Sequence, residues 1–313
     1  MRIGLIGVGR WGKNIVKTIM DFEEIELSCV TSSNHNIYDF VPKECSVYRD
    51  WGEMLNHHNL DGIIISTPPK THYEIAKASV LKGIPVLVEK PLTLNRKKAL
   101  SLKQIAIENN TLLMTEFTQV FNPKFIALRN SLNLIGGITK IITEAGDFGP
   151  IRTDTPVLWD WGSHELSILI ALLNEDPKFI KAKKINQKEN EIGDASSWEI
   201  ICNFKNNITS ISRISNICEK KRKVGVIGSK GMLILDDIGN YPLQFHEGIN
   251  IKDFPNQLGN IINFENEEKP LNKALLDFFN CIRNKEINHW SLDLGVKVTE
   301  LLEQCSKDFK DLS

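Results

Sequence analysis

The sequence has 313 residues, of which 42% are hydrophobic and 25% charged, and its formal net charge is −1. These values indicate a soluble globular protein with one large or two ordinary domains. Because the net charge is close to zero, nothing favours nucleic acid or an anionic membrane as a partner. No apolar run approaches the roughly 20 residues of a membrane span. No signal-peptide pattern precedes the first predicted strand, so we expect a cytoplasmic protein.

The first dozen residues carry a motif for binding a dinucleotide. Residues 2–8 form a short apolar run that predicts a buried parallel strand, and a helical pattern follows the glycines. Gly7, Gly9 and Gly12 have the spacing G-x-G-x-x-G. In such a motif the first glycine allows a tight turn, the second lets a pyrophosphate approach the backbone, and the third lets the helix pack on the strand. The alternative interpretation is a glycine-rich turn without a ligand.

Short apolar runs alternate with helical patterns through the first third of the chain. Such alternation predicts βαβ units and therefore a parallel sheet with helices on both faces. Further predicted strands are residues 25–31, 46–48, 62–66, 85–89 and 112–117. The predicted helices between them are residues 51–57, 71–81 and 96–109.

The pattern changes near Pro123, after which a helix is predicted over residues 123–134. Residues 198–204 then alternate between apolar and polar, which is typical of a sheet with one solvated face. Strands at 208–214, 223–227 and 232–235, a long ordered loop at 240–270, and helices at 271–283 and 292–309 complete the prediction. We therefore expect an α/β protein with a dinucleotide-binding domain over 1–120. An α+β domain with a mostly antiparallel open sheet should cover 121–313, and its C-terminal helices could pack on the first domain.

Two motifs follow predicted strands of the parallel sheet. Ser66-Thr67-Pro68-Pro69, with His72 three residues later, comes after residues 62–66, and Glu89-Lys90-Pro91 comes after residues 85–89. Ligands of open parallel sheets bind beyond the carboxyl ends of the strands. The prolines would stiffen the first loop, and Lys90 could present its ammonium to a substrate oxygen. The alternatives are a helix entry with a capping threonine and a surface lysine.

The third motif is Asp160-Trp161-Gly162-Ser163-His164. Residues four apart share a face when they lie on a helix, so the carboxylate could orient the imidazole and raise its basicity for proton transfer. The alternative is a helix N-cap and a surface histidine. A metal site needs more ligands than this segment holds, and the six separated cysteines contain no C-x-x-C pair, so we expect no metal and reduced thiols.

Together these motifs resemble the Gfo/Idh/MocA family (glucose–fructose oxidoreductase, inositol dehydrogenase and rhizopine catabolism proteins). The resemblance is carried, in order along the chain, by GVGRWG, STPPKTH, EKP and DWGSH. It implies a Rossmann domain followed by an open-sheet α/β domain. It also implies hydride transfer between a nicotinamide cofactor and a hydroxyl of a sugar, cyclitol or nucleotide sugar.

The resemblance further implies roles for individual residues. Lys90 would lie between nicotinamide and substrate, and Asp160 and His164 would complete the proton-transfer site from the second domain. Which of Lys90 and His164 carries the proton stays open. The Lys90–Pro91 peptide bond is a candidate for the cis form. By analogy with relatives, the second sheet would form the interface of a homo-dimer or tetramer.

The choice between NAD and NADP rests on the end of the second strand. Residues 31–35 read Thr-Ser-Ser-Asn-His and hold no carboxylate for a ribose 2′-hydroxyl. The hydroxyls of Ser32 and Ser33 could bind a 2′-phosphate, and Arg10 in the glycine turn could help, which favours NADP slightly. A second departure is Ser167, where many relatives carry an acidic residue that contacts the substrate.

The predicted site thus has catalytic and cofactor-binding members, and its substrate would be a small carbohydrate-like molecule. The predicted catalytic residues are Lys90, His164 and Asp160. The predicted cofactor contacts are Gly7, Val8, Gly9, Arg10, Trp11, Gly12, Ser32, Ser33, Thr67, Pro68, His72, Glu89 and Lys90. The rival hypothesis is a regulatory protein that binds the dinucleotide without turnover. The intact proton-transfer residues argue against it.

Overall fold

The computed structural model describes residues 1–57, 59–248, 251–265 and 268–310, and the chain divides into two compact units. Unit 1 comprises Met1–Thr118 and Lys269–Glu300, and unit 2 comprises Gln119–Glu268 and Leu301–Ser313. The segment 269–300 therefore clusters with the N-terminal residues.

Strands and helices alternate in the first part of the chain and separate in the second. The strands are β1 (Arg2–Ile6), β2 (Glu26–Thr31), β3 (Ser46–Tyr48), β4 (Gly62–Ile65), β5 (Val86–Glu89), β6 (Leu113–Glu116), β7 (Ile138–Phe148), β8 (Phe179–Gln187), β9 (Ser196–Asn203), β10 (Thr209–Ser215), β11 (Ile217–Gly228), β12 (Gly231–Asp236), β13 (Leu243–Glu247) and β14 (Asn260–Ile261). The helices are α1 (Arg10–Ile19), α2 (Trp51–His57), α3 (Pro69–Leu81), α4 (Arg96–Glu108), α5 (Pro123–Asn130), α6 (Val157–Asp160), α7 (Gly162–Leu173), α8 (Pro270–Asn284) and α9 (Trp290–Lys310).

Unit 1 contains a six-stranded sheet in the order β3-β2-β1-β4-β5-β6, and every strand pair in it is parallel. Successive side chains point to opposite faces, so each strand supplies two cores. Leu5 packs in a cluster with Ile15 of α1 and Phe278 of α8. Its neighbour Ile6 packs in a second cluster that includes Leu102 of α4. Burial on both faces explains why these strands are nearly continuous apolar runs.

Unit 2 contains an eight-stranded sheet in the order β14-β13-β12-β11-β7-β10-β9-β8. All its pairs are antiparallel except that of β7 with β10. Along β9, Trp198 and Ile200 are buried, whereas Glu199 and Ile201 are half-buried. Helix α6 contacts β9 and β10, and α7 contacts β7 and β10. The parallel and mostly antiparallel sheets confirm the predicted fold class.

Some predicted elements were wrong or missing in the second half of the chain. The expected loop over 240–270 contains strands β13 and β14, and the expected helix over 123–134 ends at Asn130 before a 3₁₀ turn. No prediction covered β7, the strand between β11 and β10, nor β8. Strand β8 has the sequence FIKAKKINQ, and its three lysines mask the alternation. Strand β7 buries three residues in succession, which also obscures the period of two.

Candidate functional site

The glycine motif forms the turn between β1 and α1. Gly7 has a φ of 97°, a conformation that favours glycine, and its N–H donates to the Thr31 carbonyl oxygen at 3.2 Å. Gly9 precedes the first residue of α1, and no side chain caps this helix end. The N–H groups of the first helical turn therefore stay available to an anion.

The three glycines differ in how much room surrounds them, and this tests whether a dinucleotide fits. A Cβ added at Gly12 would collide with the Gly7 carbonyl oxygen, and one added at Gly7 would lie 2.7 Å from Thr67 Cγ2. A Cβ at Gly9 would meet nothing within 4 Å. Gly7 and Gly12 are thus required by the turn itself, whereas Gly9 leaves open space where a pyrophosphate could approach the backbone.

The neighbours of the glycines in this turn are mostly exposed. Arg10 is exposed, Trp11 is 40% exposed, and Val8 is buried in the core of unit 1. The Trp11 indole N–H donates to Glu89 Oε1. Trp11 and Glu89 are far apart in the sequence, so their hydrogen bond links the glycine turn to the end of β5.

His72 joins the loops after β4 and β5. Its side chain is fully buried, Nε2 lies 2.8 Å from the Thr67 carbonyl oxygen, and Nδ1 lies 3.0 Å from the Pro91 carbonyl oxygen. The Thr71 hydroxyl donates to Thr67 Oγ1 at 2.7 Å, which further fixes the first loop. His72 therefore holds the backbones of both loops at the carboxyl edge of the sheet.

The Lys90–Pro91 peptide bond is cis, which confirms the conformation that the resemblance implied. Lys90 is half-buried and directly follows β5. Glu89 is buried, and burial raises the pKa of its carboxyl, as does the charge of Glu116. Glu116, at the end of β6, also has a pKa raised by burial. Sequence reasoning did not single out Glu116, because one acidic residue at the end of a short strand is usually a surface residue.

An arginine from another part of the chain contacts the loop after β2, and the sequence analysis did not place it there. Ser32 is buried and Ser33 exposed, and the Asn34 N–H donates to Ser32 Oγ at 3.1 Å. Arg49, which follows β3, donates from Nη1 to the Ser32 carbonyl oxygen at 3.1 Å, and its Nη2 lies 3.5 Å from His35 Nδ1. The parallel pairing of β3 with β2 brings this exposed guanidinium to the end of β2.

In unit 2, Asp160 and His164 lie in consecutive helical segments rather than in one helix. Asp160 ends α6, and His164 lies in the first turn of α7. Trp161 between them keeps helical torsion angles (φ −87°, ψ −41°). Asp160 Oδ1 lies 3.5 Å from Arg152 Nη1. The Ser167 hydroxyl donates to the His164 carbonyl oxygen at 2.7 Å and stays buried.

A buried carboxyl follows His164 in the sequence and was also not foreseen. Burial raises the pKa of Glu165 to about 7, while Thr143 and the charge of Arg222 lower it. The Arg222 guanidinium carbon lies 4.4 Å from the centre of the Trp161 ring. Sequence patterns do not reveal this cluster, because its members come from α7 and from strands β7 and β11.

The residues that the structure describes also bear on metal binding, thiol chemistry and membrane spans. Within that part of the chain, no three His, Cys, Asp or Glu side chains are grouped so as to hold a metal ion. The six cysteines are free thiols. No helix in the described ranges has the length and apolar character needed to cross a membrane.

Comparisons with known proteins relate the chain to oxidoreductases. Residues 1–117 match the model of an oxidoreductase family with an NAD-binding Rossmann fold. A crystal structure of a protein from Magnetospirillum magnetotacticum, provisionally assigned as an oxidoreductase, has a TM-score of 0.92 at 33% identity and covers 97% of this chain and 99% of that one. UDP-N-acetylglucosamine 3-dehydrogenase from Acidithiobacillus ferrooxidans has a TM-score of 0.82 at 21% identity, with 97% and 96% covered. Inositol 2-dehydrogenase from Rhizobium meliloti is 24% identical over 252 residues, which are 76% of each chain.

The differing space around Gly9 and Gly12 predicts different effects of a methyl group at the two positions. Gly9→Ala should change the free energy of unfolding by no more than about 1 kcal/mol but weaken NADPH binding about tenfold or more, because the methyl blocks the approach of the pyrophosphate. Gly12→Ala should cost about 1–3 kcal/mol of stability through its collision with the Gly7 carbonyl.

Urea denaturation and fluorescence titration measure the two effects separately. If Gly9→Ala binds NADPH as tightly as the wild type does, the glycine turn is not the cofactor site.

Proposed function

Because the chain belongs to the Gfo/Idh/MocA family of oxidoreductases, we propose that it transfers a hydride between a nicotinamide cofactor and a hydroxyl or ketone of a sugar, cyclitol or nucleotide sugar. The chain is a nicotinamide-dependent enzyme that acts on CH–OH groups. The observation that carries the proposal is the open space at Gly9, in front of the uncapped α1. The inositol and UDP-sugar dehydrogenases among the relatives support the substrate class.

We propose that the cofactor is held by the turn and loops at the carboxyl edge of the first sheet. Backbone N–H groups at the start of α1 would hold the pyrophosphate, and the loop after β2 would hold the adenosine ribose. When bound, the nicotinamide ring accepts or supplies the hydride. The residues proposed as contacts are Gly7, Val8, Gly9, Arg10, Trp11, Gly12, Ser32, Ser33, Thr67, Pro68, His72, Glu89 and Lys90. For buried His72, we propose that it acts by fixing the loops.

Lys90, His164 and Asp160 are the proposed catalytic residues. During oxidation, the substrate hydroxyl gives its proton to Lys90 Nζ or to the His164 imidazole as the hydride leaves its carbon, and during reduction the same group returns a proton to the ketone oxygen. Lys90 directly follows β5 and is half-buried, so its side chain starts from the carboxyl edge of the sheet. Asp160 would fix the orientation of the group that transfers the proton. The Asp160 carboxylate is itself held by an ion pair with Arg152.

Removal of either proposed proton carrier should slow turnover strongly. Lys90→Ala and His164→Ala should each lower kcat by about 10²–10⁴-fold, the usual contribution of general acid–base catalysis. Lys82→Ala, which removes a lysine that pairs with Asn56 just after α3, is the control and should leave kcat unchanged.

Steady-state kinetics with inositols and UDP-sugars measure these effects, and NADPH titration confirms that the variants still bind cofactor. Near-normal turnover by Lys90→Ala contradicts its role. If the wild type binds NADPH but turns over none of these substrates, the proposed substrate class is wrong.

We further propose that the enzyme prefers NADP to NAD. Residues 31–35, at the end of β2 and the start of the following loop, have hydroxyl groups and no carboxylate. Arg49 donates to the Ser32 carbonyl oxygen in this segment. A guanidinium at this place can pair with a 2′-phosphate in a geometry that suits two hydrogen bonds. NADP(+) is named for a relative, scyllo-inositol 2-dehydrogenase of Bacillus subtilis, whereas a structural neighbour from gentamicin biosynthesis was crystallised with NAD.

The proposed preference predicts a selective effect of one arginine. Arg49→Ala should weaken NADPH binding about 10–100-fold, the value of a charge-assisted hydrogen bond, and leave NADH binding nearly unchanged. Arg2→Ala is the control. It removes the same charge at the start of β1, which lies at the opposite edge of the sheet from the loop after β2.

Fluorescence titrations of the three proteins with both cofactors provide the measurement. If Arg49→Ala loses affinity for NADPH and for NADH equally, Arg49 does not determine the preference between the two cofactors.

Finally, we propose that residues 1–120 bind the dinucleotide and that residues 121–313 bind substrate and form a homo-dimer or tetramer. The second sheet has a face on which Arg213 pairs with Glu144 at 3.3 Å and with Glu199 at 3.5 Å. Ile201 and Ile211, register partners on this face, are half-buried. A face that mixes apolar side chains with a charge network suits a second copy of the same chain. Light scattering should give a multiple of 35.5 kDa, and a monomeric mass contradicts the assembly.

A further inference from the structure

Two carboxyl groups lie side by side at the carboxyl edge of the first sheet. Glu89 ends β5, Glu116 ends β6, and the two residues are register partners in the parallel pair. Both side chains are buried, with exposed fractions of 9% and 2%. Two ionised carboxylates at adjacent buried positions repel each other, and each can only accept hydrogen bonds, so a hydrogen bond between them forms only when one carries a proton.

The remaining contacts of the pair also favour one shared proton. The Trp11 indole donates to Glu89 Oε1, and the Thr118 hydroxyl donates to Glu116 Oε2 at 2.9 Å. Glu116 Oε1 is buried, and within the described ranges no N–H or O–H group donates to it. The proton shared with Glu89 is therefore the donor that can satisfy this oxygen, which would otherwise carry the cost of an unpaired buried polar atom.

The charges around the pair balance when it holds a single proton. Burial raises the pKa of both carboxyls, mutual repulsion raises that of Glu89 further, and the Lys90 ammonium opposes these effects. Among the described residues, the groups that donate hydrogen bonds to the pair are uncharged, namely the Trp11 indole of α1 and the Thr118 hydroxyl, and the neighbouring Thr115 N–H donates to the uncharged Ser291 hydroxyl of α9. A pair with one proton has a charge of −1, which equals and opposes that of the ammonium.

We propose that Glu116 is a positioning residue for Lys90: with Glu89 it forms a carboxyl pair that shares one proton, and the single negative charge of the pair orients the Lys90 ammonium after β5. This inference rests on the proposed function, in which Lys90 acts on the substrate oxygen. A second negative charge on the pair, or the loss of both charges, would change the electrostatic attraction that positions the ammonium. The proton of the pair therefore sets the charge that faces Lys90.

Glu116→Gln tests the shared proton directly. An amide can donate to Glu89 without a shared proton, so the variant keeps the charge of −1 at every pH near neutrality. Infrared titration of the protein without ligands should then lose one protonated-carboxyl band at neutral pH. Glu165→Gln is the matched control, because Glu165 is also a buried glutamate whose pKa is raised by burial. The band that remains in Glu165→Gln should disappear when Glu116→Gln is added.

Kinetics test the positioning role. In the wild type, kcat should change with pH as the pair titrates, and in Glu116→Gln this part of the pH profile should be lost with little change in KM. A loss of function from misfolding would instead lower kcat at every pH. If Glu116→Gln does not fold, Glu89→Gln should remove the same infrared band, because the proton belongs to the pair.

Three outcomes overturn the inference. An unchanged infrared band in Glu116→Gln shows that the carboxyls share no proton. A wild-type pH profile in that variant shows that the pair does not act through Lys90. If the wild type binds neither NADPH nor NADH, the proposed function fails and the positioning role fails with it, while the infrared result still reports on the shared proton.

Discussion

Parallel pairing of the first sheet is the constraint on which the candidate site in unit 1 depends. In this pairing Ile6 lies opposite Ile65, and Glu89 lies opposite Glu116, so these strands end at a common edge. The Ser66 N–H continues the pairing by donating to the Ile6 carbonyl oxygen at 2.8 Å. Because side chains alternate between faces, a shift of one residue in any strand would move its terminal side chain to the other face. The burial of both faces opposes such a shift.

The sequence predicted the parts of this sheet that local patterns determine. The β-branched runs predicted the strands, and the spacing of the glycines predicted the turn into α1. Arg49 and Glu116 were not predicted, because their neighbours depend on the order of strands: β3 beside β2, and β6 beside β5. Contacts of this kind have no signature in a single sequence.

Unit 2 shows where pattern reading fails and why. The predicted strands β9 and β12 bury alternate or successive apolar residues, whereas β8 has three lysines among nine residues. The DWGSH segment was recognised by its residue types, yet Glu165 beside it was not. Burial of a carboxyl is costly unless it is neutral or paired. The proximity of Arg222 and Thr143, which lowers that cost, arises only after the sheet has formed.

The two edge strands of the second sheet affect how copies of the chain can meet. An unpaired strand edge offers free N–H and C=O groups to any other strand, which promotes aggregation. One edge here is β14, which has two residues, and the other is β8, which has Lys181 and Lys183 exposed along it. A short edge and a positively charged edge both discourage the addition of a foreign strand. Edge-to-edge growth of the sheet into a larger β-structure is therefore disfavoured, although the chain contains eight strands in one continuous sheet.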